Sequence, residues 1–284
     1  MTVQPVPERT VRVRRVRFAY PRGSLRRHYV GGDLVMSHIV AVLSATFPPG
    51  EDFFIRSVRH YSDRITDPEL KKQIKAFIGQ EVVHGREHDV LNRTLREMGY
   101  PTHRVDRFVE RALAFGDRIM PPRVRLGQTA AFEHWTATLA ECVLSDPRAR
   151  ELLGDTEVRR VLLWHALEES EHKAVAFDVY RAVGGSERMR RRTMVEASFG
   201  LLAVVVIGTF LSLLGDRAAY DPRRLFRSLA ALRRNPFLDP AVRARLRAYN
   251  RPGFHPDDFD ATELLERWRA ELFGPDGSLT GRLS

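Results

Sequence analysis

The sequence predicts an all-α protein built on four long helices, and three observations support this fold class. Apolar residues recur at spacings of three and four along four segments, which is the period of an amphipathic helix. Short turns join the first segment to the second and the third to the fourth, whereas a long connection separates the second from the third. At 284 residues the chain is long enough to bury a full core.

The first long helix is predicted in two pieces. One piece covers residues 33–46, and the sequence Pro48-Pro49-Gly50 then interrupts the pattern. Proline removes a backbone donor and its ring crowds the preceding turn, so we expect a break there. A new helix is predicted over residues 51–65.

The second and third long helices flank the long connection. The turn TDPE at 66–69 precedes a helix predicted over 69–98, which Gly99 ends. Residues 99–122 are predicted to cross over with one shorter helix inside. The third long helix is predicted over 123–145.

The fourth long helix is predicted over 157–183, followed by a hydrophobic helix over 190–214 and short helices separated by prolines. A four-helix bundle with a single long connection is the ferritin-like topology. We therefore expect three parts in the chain. They are a basic extended arm (1–30), the ferritin-like bundle with its added hydrophobic helix (31–215) and a C-terminal helical appendage (216–284).

Ionisable residues occupy the apolar stripe of the fourth helix. His165, Glu169 and His172 lie on the same face as Val161 and Leu162. Burying such groups without partners costs several kcal/mol each. They must therefore be paired, hydrogen-bonded or bound to a metal ion.

The other three helices repeat this anomaly. Glu81 and His84 form an ExxH pair on the stripe of the second helix, as Glu169 and His172 do on the fourth. Glu51 lies on the stripe of the first helix and Glu133 on that of the third.

Register predicts that these residues meet. Glu51 and Glu81 each lie about 15 residues from the first turn, and Glu133 and Glu169 about 18 from the second, so antiparallel pairs place them at one height. Glu141 is the rival on the third helix, but it is predicted to lie about two turns nearer the loop.

One glutamate from each of two helices with an ExxH pair from each of the other two is the dinuclear carboxylate pattern of ferritin-like proteins. The alternative is a buried ion-pair network without metal, which needs cations, yet no Lys or Arg lies on the stripes near the cluster. We expect two divalent metal ions, with iron favoured and manganese as the alternative.

Four stretches carry a resemblance to a known family. FPPGEDFFIRSVR, FIGQEVVHGREHDVLN, AFEHWTA and LLWHALEESEHKAVAFDVY resemble the bacterial predicted metal-dependent hydrolases over about residues 35–215. The HxxxExxH pattern of the fourth helix also resembles the ligand set of the non-haem di-iron arylamine N-oxygenases. That second resemblance implies seven metal ligands: Glu51, Glu81, His84, Glu133, His165, Glu169 and His172.

Neighbouring polar residues have other predicted roles. His88 lies one turn beyond His84, where it could orient a ligand or move protons, or be a hydrogen-bonded core histidine. His134 is predicted to be structural, and His38 to be a core histidine. Glu168 and Glu171 are predicted to be solvated or ion-paired.

The segment 197–215 carries no charge, and basic residues flank it on both sides. Its length is at the lower edge for a membrane span. We expect a buried fifth helix at a bundle or dimer interface. Peripheral membrane contact and a substrate channel wall are the alternatives.

Composition limits the remaining function classes. The single cysteine, Cys142, excludes a disulfide framework within the chain, and the N-terminus lacks the apolar region of a secretory signal. A cytoplasmic protein is therefore expected, with membrane association as the alternative. The net charge is +10, but no nucleic-acid motif accompanies it, so nucleic-acid binding is not expected.

The expected function is O₂-dependent oxidation of a small, largely apolar or aromatic substrate by a homodimeric di-iron enzyme, because nitrogen and carboxylate ligands suit iron. A hydrolase that uses a metal-bound hydroxide is the first alternative. A ferroxidase or metal-storage protein is the second.

Overall fold

A computed structural model describes residues 7–283. Within this range the predicted all-α class is confirmed, and the β-structure there is limited to an isolated bridge between Val16 and Leu283. Residues 1–6 of the predicted arm and Ser284 lie outside the described residues. The helices are α1 Leu34–Arg59, α2 Pro68–Glu97, α3 Thr102–Ile119, α4 Pro122–Ser145, α5 Pro147–Leu153, α6 Glu157–His172, α7 Val175–Ala182, α8 Glu187–Leu214, α9 Pro222–Ala231, α10 Pro240–Ala248 and α11 Thr262–Phe273.

The four predicted long helices correspond to α1, α2, α4 and the pair α6–α7. Helix α1 packs along α2, and α4 packs along α6. As predicted, the long connection contains one shorter helix, α3, and this helix packs on α1. The apolar stripes of these helices face one another and form the two main clusters of the core.

The predicted break at Pro48-Pro49-Gly50 is wrong, because α1 continues through both prolines. Pro48 has no N–H, so the carbonyl four residues earlier, that of Ser44, loses its helical donor. The side chain of Asn92 on α2 donates to this carbonyl at 2.9 Å. A neighbouring helix thus supplies the hydrogen bond that the proline removes.

The fourth helix, predicted to be continuous over 157–183, is interrupted. Helix α6 ends at His172 and α7 begins at Val175. At the interruption, the Lys173 ammonium donates to Glu141 at 3.0 Å and to the Phe259 carbonyl at 2.6 Å. The C-terminal segment is therefore tied to the bundle at this point.

Helix α8 is not fully buried within the chain, so the expectation of a helix buried in the bundle is wrong, whereas burial at a dimer interface stays a prediction. Its inner face, with Thr193, Met194 and Ala197, is buried, and α8 packs on α4 and α1. Its outer face is exposed, and the Phe199 side chain has 77% of its surface accessible. Of the described helices, α8 is the one long and apolar enough to cross a membrane, which by itself is weak support for a span.

The described part of the arm, residues 7–30, crosses the surface of the bundle without regular helix. Its backbone is fixed by side chains of α2: Gln80 donates to the Arg12 carbonyl at 3.0 Å, and Glu87 accepts from the Phe18 amide at 2.8 Å. The arm therefore packs as a part of the fold.

We expect Asn92→Ala to lower the free energy of unfolding by about 1–3 kcal/mol, because the buried Ser44 carbonyl then has no donor. Urea denaturation measures this loss. Thr94→Ala on the same helix is the control, since its hydroxyl bonds only its own helix, at 3.4 Å, and the expected change is under about 0.5 kcal/mol. Equal losses in both variants contradict the role given to Asn92.

Candidate metal centre

The seven residues predicted as ligands converge in the core of the bundle, and each of them is buried. They come from the four helices at the predicted positions. Helix α1 provides Glu51, α2 provides Glu81 and His84, α4 provides Glu133, and α6 provides His165, Glu169 and His172.

One half of the cluster surrounds the ring of His172. Its Nε2 lies 3.2 Å from Glu81 Oε1, 3.2 Å from Glu133 Oε2 and 3.6 Å from Glu169 Oε1. The Glu81, Glu133 and His172 donor atoms are mutually close enough to hold one ion.

The other half contains the two remaining histidines. His84 Nδ1 lies 3.8 Å from Glu81 Oε1 and 3.6 Å from Glu169 Oε1. His165 Nε2 lies 2.9 Å from Glu169 Oε1 and 3.8 Å from Glu51 Oε1. Glu81 Oε1 and Glu169 Oε1 thus lie near histidines of both halves, and these two residues would be within reach of two ions.

Several buried nitrogen and oxygen atoms in this cluster have no hydrogen-bond partner. Both oxygens of each of three glutamates lack a partner, and so do single atoms of three further residues. These are the carboxylates of Glu51, Glu81 and Glu133, together with Glu169 Oε2, His84 Nδ1 and His172 Nε2. Buried polar atoms are normally satisfied, so this set of nitrogen and oxygen donors fits divalent metal ions.

Charge leads to the same conclusion. Over residues 7–283, the ion pairs of Glu51, Glu81, Glu133 and Glu169 involve histidines, with no Lys or Arg among the partners. Four carboxylates carry four negative charges, and two divalent cations carry four positive ones. The ion-pair alternative therefore depends on protonated histidines, because no Lys or Arg of the described residues pairs with these four carboxylates.

Without metal, the cluster holds protons. Burial lowers the pKa of His84, but the hydrogen bond to Glu168 and the nearby Glu169 and Glu81 carboxylates outweigh it and raise the pKa to about 10. Burial also opposes the charge on His172, yet Glu133 and Glu169 raise its pKa well above the usual value. Burial raises the pKa of Glu51 and Glu81 well above normal, and that of Glu133 to about 7.

His165 and His88 behave differently, because both are neutral. Burial and the charge of His84 lower the pKa of His165 to about 4. Burial and the two neighbouring histidines lower the pKa of His88 well below its usual value. A neutral imidazole is the form that binds a metal.

Each histidine is oriented through its second nitrogen. His84 Nε2 donates to Glu168 Oε2 at 3.1 Å, and Arg14 from the arm donates to the other Glu168 oxygen at 3.1 Å. His172 Nδ1 donates to Gln80 Oε1 at 3.0 Å. These bonds leave His84 Nδ1 and His172 Nε2 facing the carboxylates.

His88 orients the third histidine. Its Nε2 lies 2.8 Å from His165 Nδ1, and its Nδ1 lies 3.0 Å from Ser44 Oγ. For His165 Nε2 to hold a metal, Nδ1 must carry the proton and donate it to His88. This is the arrangement expected of an orienting His88, although the geometry also satisfies a core histidine.

Three residues that orient the cluster carry no clear signal in the sequence: Ser44, Gln80 and Arg14. Ser44 and Gln80 lie on helices, but nothing in their spacing distinguishes them from ordinary polar residues. Arg14 lies in the arm and bonds both Glu168 and Glu171, the latter at 2.8 Å through each of two nitrogens. Two acidic residues one turn apart on the same helix were the available signal for a remote arginine.

The remaining candidates have protein partners. Both oxygens of Glu141 are occupied, one by Lys173 and the other by Arg245. His134 Nε2 bonds the Arg245 carbonyl at 3.0 Å, and His38 bonds Ser212 and Asp216. Glu141 therefore lies apart from the cluster that contains Glu133.

Outside the main cluster, His28, His38 and Asp216 also lie close enough together to hold an ion. Asp216 Oδ2 lies 3.1 Å from each of the two histidines and accepts from Arg27 at 3.1 Å. Because the Asp216 carboxylate already has three partners, we interpret this group as a structural hydrogen-bond network.

An apolar cavity of about 460 Å³ reaches the centre from the surface. Its polar end includes Glu51, His165 and Glu169, and most of its wall is apolar side chains from α1, α3, α4 and α8. Leu201 and Val204 of α8 form part of this lining. This position agrees with the channel wall, which was one of the alternatives for the hydrophobic helix. The size suits a small organic molecule.

Comparison with known proteins gives one match. The model of a protein family described as predicted metal-dependent hydrolase matches residues 12–260. No curated protein and no solved structure matches the chain. The match supports a metal-using enzyme and divalent metal binding, and it favours the hydrolase alternative over the expected oxidation.

We expect Glu133→Ala to lower the metal content to about half or less of the wild-type value, whereas Glu141→Ala leaves it unchanged. The two residues are buried glutamates of the same helix, so they form a matched pair. Metal analysis of folded protein after loading with Fe(II) or Mn(II) measures the difference. Loss of metal from Glu141→Ala alone shows that the assignment on α4 is wrong.

Metal loading at neutral pH should release about two or more protons per chain, because the raised pKa values of His84, His172, Glu51 and Glu81 keep these groups protonated in the metal-free protein. Metal affinity should therefore fall as the pH decreases. A pH indicator in weakly buffered solution measures the release during titration with Mn(II). Binding without proton release contradicts the proposed ligand set.

Proposed function

Because the chain belongs to the family of predicted metal-dependent hydrolases, we propose that it is a dinuclear metalloenzyme acting on a small apolar substrate. The observation that carries the proposal is the apolar cavity, which ends at Glu51, His165 and Glu169. The proposed ligands are the seven residues of the cluster: Glu51, Glu81, His84, Glu133, His165, Glu169 and His172.

We also propose that the bundle is ferritin-like. Its support is the pairing of α1 with α2 and of α4 with α6, with a single connection that contains α3 between the two pairs. Two ExxH pairs and two single glutamates projecting into such a bundle are the arrangement of its dinuclear members.

The proposed count of two ions rests on the two halves of the cluster. Glu133 and His172 belong to one half and Glu51, His84 and His165 to the other, with Glu81 and Glu169 in reach of both. A single ion leaves one half with buried, unpaired carboxylates, which is costly.

Hydrolysis is the reaction that the family favours. Bound divalent ions supply Lewis acidity and lower the pKa of a coordinated water. The chain itself would bind the apolar part of a substrate along Phe54, Phe132 and Leu201, and so place its reactive bond at the Glu51–Glu169 end. His88 and Ser44 hold the His165 ring in position throughout.

O₂-dependent oxidation is the second candidate, and the composition of the cavity wall favours it. A wall of apolar side chains excludes bulk water, which protects a reactive oxidised species from side reactions. The three histidines and four carboxylates also suit iron. The resemblance to the arylamine N-oxygenases has no match among the comparisons and stays part of this proposal.

The two reactions differ in their need for a redox metal. If the chain is a hydrolase, protein loaded with Zn(II) in the absence of O₂ should cleave a p-nitrophenyl ester of a medium-length fatty acid. Release of p-nitrophenol measures turnover, and Glu169→Ala should lower it by about a hundredfold, because this carboxylate reaches both halves.

Glu141→Ala is the control and should retain turnover, since Glu141 is bonded to Lys173 and Arg245. Two results together exclude hydrolysis and favour oxidation. The zinc-loaded protein is inactive, and the Fe(II)-loaded protein takes up O₂ in a reaction that is lost in Glu169→Ala. Ester cleavage that does not depend on metal contradicts the hydrolase candidate, and Fe(II)-loaded protein without O₂ uptake contradicts the oxidation candidate.

A further inference from the structure

We propose that the exposed apolar face formed by α3 and α8 docks on an anionic membrane surface and admits membrane-dissolved molecules into the cavity. We call this surface the α3–α8 face. The docking half of the proposal needs neither metal nor catalysis. The statement that the admitted molecule is a substrate rests on the proposed function.

Helix α8 contributes a continuous stripe of exposed apolar side chains. They recur at spacings of three and four over four turns, so they lie along one side of the helix. Phe199, the most exposed of them, is 77% accessible. The stripe consists of Val195, Phe199, Leu202, Val206 and Phe210, and Ile207, Leu211 and Leu214 widen it.

Helix α3 contributes a second stripe. Phe108, Ala112, Phe115 and Ile119 recur at the same helical spacing and are all exposed. Phe108 and Phe115 lie two turns apart and both expose more than half of their surface. Large exposed apolar patches of this kind mark interaction surfaces.

The two stripes belong to one face because α3 and α8 meet over α1. Val105 and Val109 of α3 pack with Val204 of α8 against Val42 and Ala45. Both helices therefore lie on the same side of the bundle.

The cavity reaches the surface at this face. Phe108 and Ala112 of α3 and Gly200 of α8 line the cavity and are exposed to solvent. A molecule dissolved in the acyl chains could thus pass between the two helices toward Glu51 and Glu169 without crossing bulk water.

Basic residues border the face at both ends of α8. Arg188 and Arg191 are exposed before the apolar stretch, and Arg217, Arg223 and Arg227 are exposed after it. A helix that lies in the plane of a membrane surface places both of its ends at the headgroups, where each arginine attracts anionic lipid.

The same charges argue against a second copy of the chain as the occupant. If two α8 helices pair, parallel packing places equal ends together, and antiparallel packing places the first end against the last. Both arrangements bring arginine against arginine, and like charges at an interface are unfavourable. Anionic headgroups neutralise both ends.

Two close approaches hold α8 against the bundle and favour peripheral docking over a membrane span. An added Cβ at Gly208 would lie 3.0 Å from Val42 on α1, and one at Gly127 on α4 would lie 3.1 Å from Thr193. These close approaches fix α8 at two points along its length. Docking is therefore peripheral.

The test is flotation of the full-length protein with vesicles of phosphatidylcholine, alone or mixed with phosphatidylglycerol. Wild type should float with the mixed vesicles and remain below with phosphatidylcholine alone, and high salt should release it. Phe199→Asp should weaken binding by about tenfold or more, because a charge enters the apolar contact.

Val82→Asp is the matched control, since Val82 on α2 is also an exposed apolar residue, at 56%, but lies on a helix outside the face. It should bind as wild type does. Failure of wild type to float, or equal loss in both variants, overturns the proposal. Extraction only by detergent indicates an integral protein and overturns peripheral docking.

Light scattering without lipid tests the second copy. The proposal is overturned if the wild-type protein binds no vesicles, forms a dimer, and becomes a monomer on the substitution Phe199→Asp. The α3–α8 face then serves self-association. A monomer that binds anionic vesicles supports it.

Access to the cavity has its own readout. Trp135 lines the cavity and bonds Ser198 of α8 at 2.8 Å. Vesicles with brominated acyl chains should quench the fluorescence of bound wild type, and the quenched part should disappear in Trp135→Phe. Flotation without this quenching overturns the access half, and neither readout depends on the reaction at the metal centre.

Discussion

Four carboxylates share the centre of this bundle, and no lysine or arginine among the described residues is paired with any of them. A buried charge without a counter-charge is among the costliest features that a fold can contain. The surrounding structure is arranged around this constraint. Available cations are directed elsewhere: Lys173 and Arg245 bind Glu141, and Arg14 binds Glu168 and Glu171.

Orientation of the three histidines depends on residues one layer further out. Glu168, Gln80 and His88 each bond the second nitrogen of one ring, and so they determine which nitrogen faces the carboxylates. Such partners fix the tautomer and the orientation of a metal-binding histidine and raise its basicity. The arm contributes to this layer through Arg14, although it contains no predicted ligand.

The helix stripes and the register were enough to predict which residues meet in the core, because both follow from local periodicity. They placed Glu133 in the cluster and Glu141 outside it, and the contacts of both residues agree. Features that depend on contacts between distant segments were missed. The continuity of α1 depends on Asn92, the break after His172 coincides with the Lys173 contacts, and the exposure of α8 depends on how much surface α1 and α4 leave uncovered.

The contact between the arm and α6 has a consequence for the order of assembly. Arg14 and its partners Glu168 and Glu171 are separated by 154 and 157 residues of chain. Domains begin to fold while they are still being synthesised, from the N-terminus onward. The arm leaves the ribosome before α6 and can contact α2, but Arg14 has no carboxylate partner until α6 has emerged. His84, which is carried by α2 and bonds Glu168, therefore gains its fixed orientation late. A nascent chain thus cannot capture metal with the finished geometry, and ion selection is deferred to the completed protein.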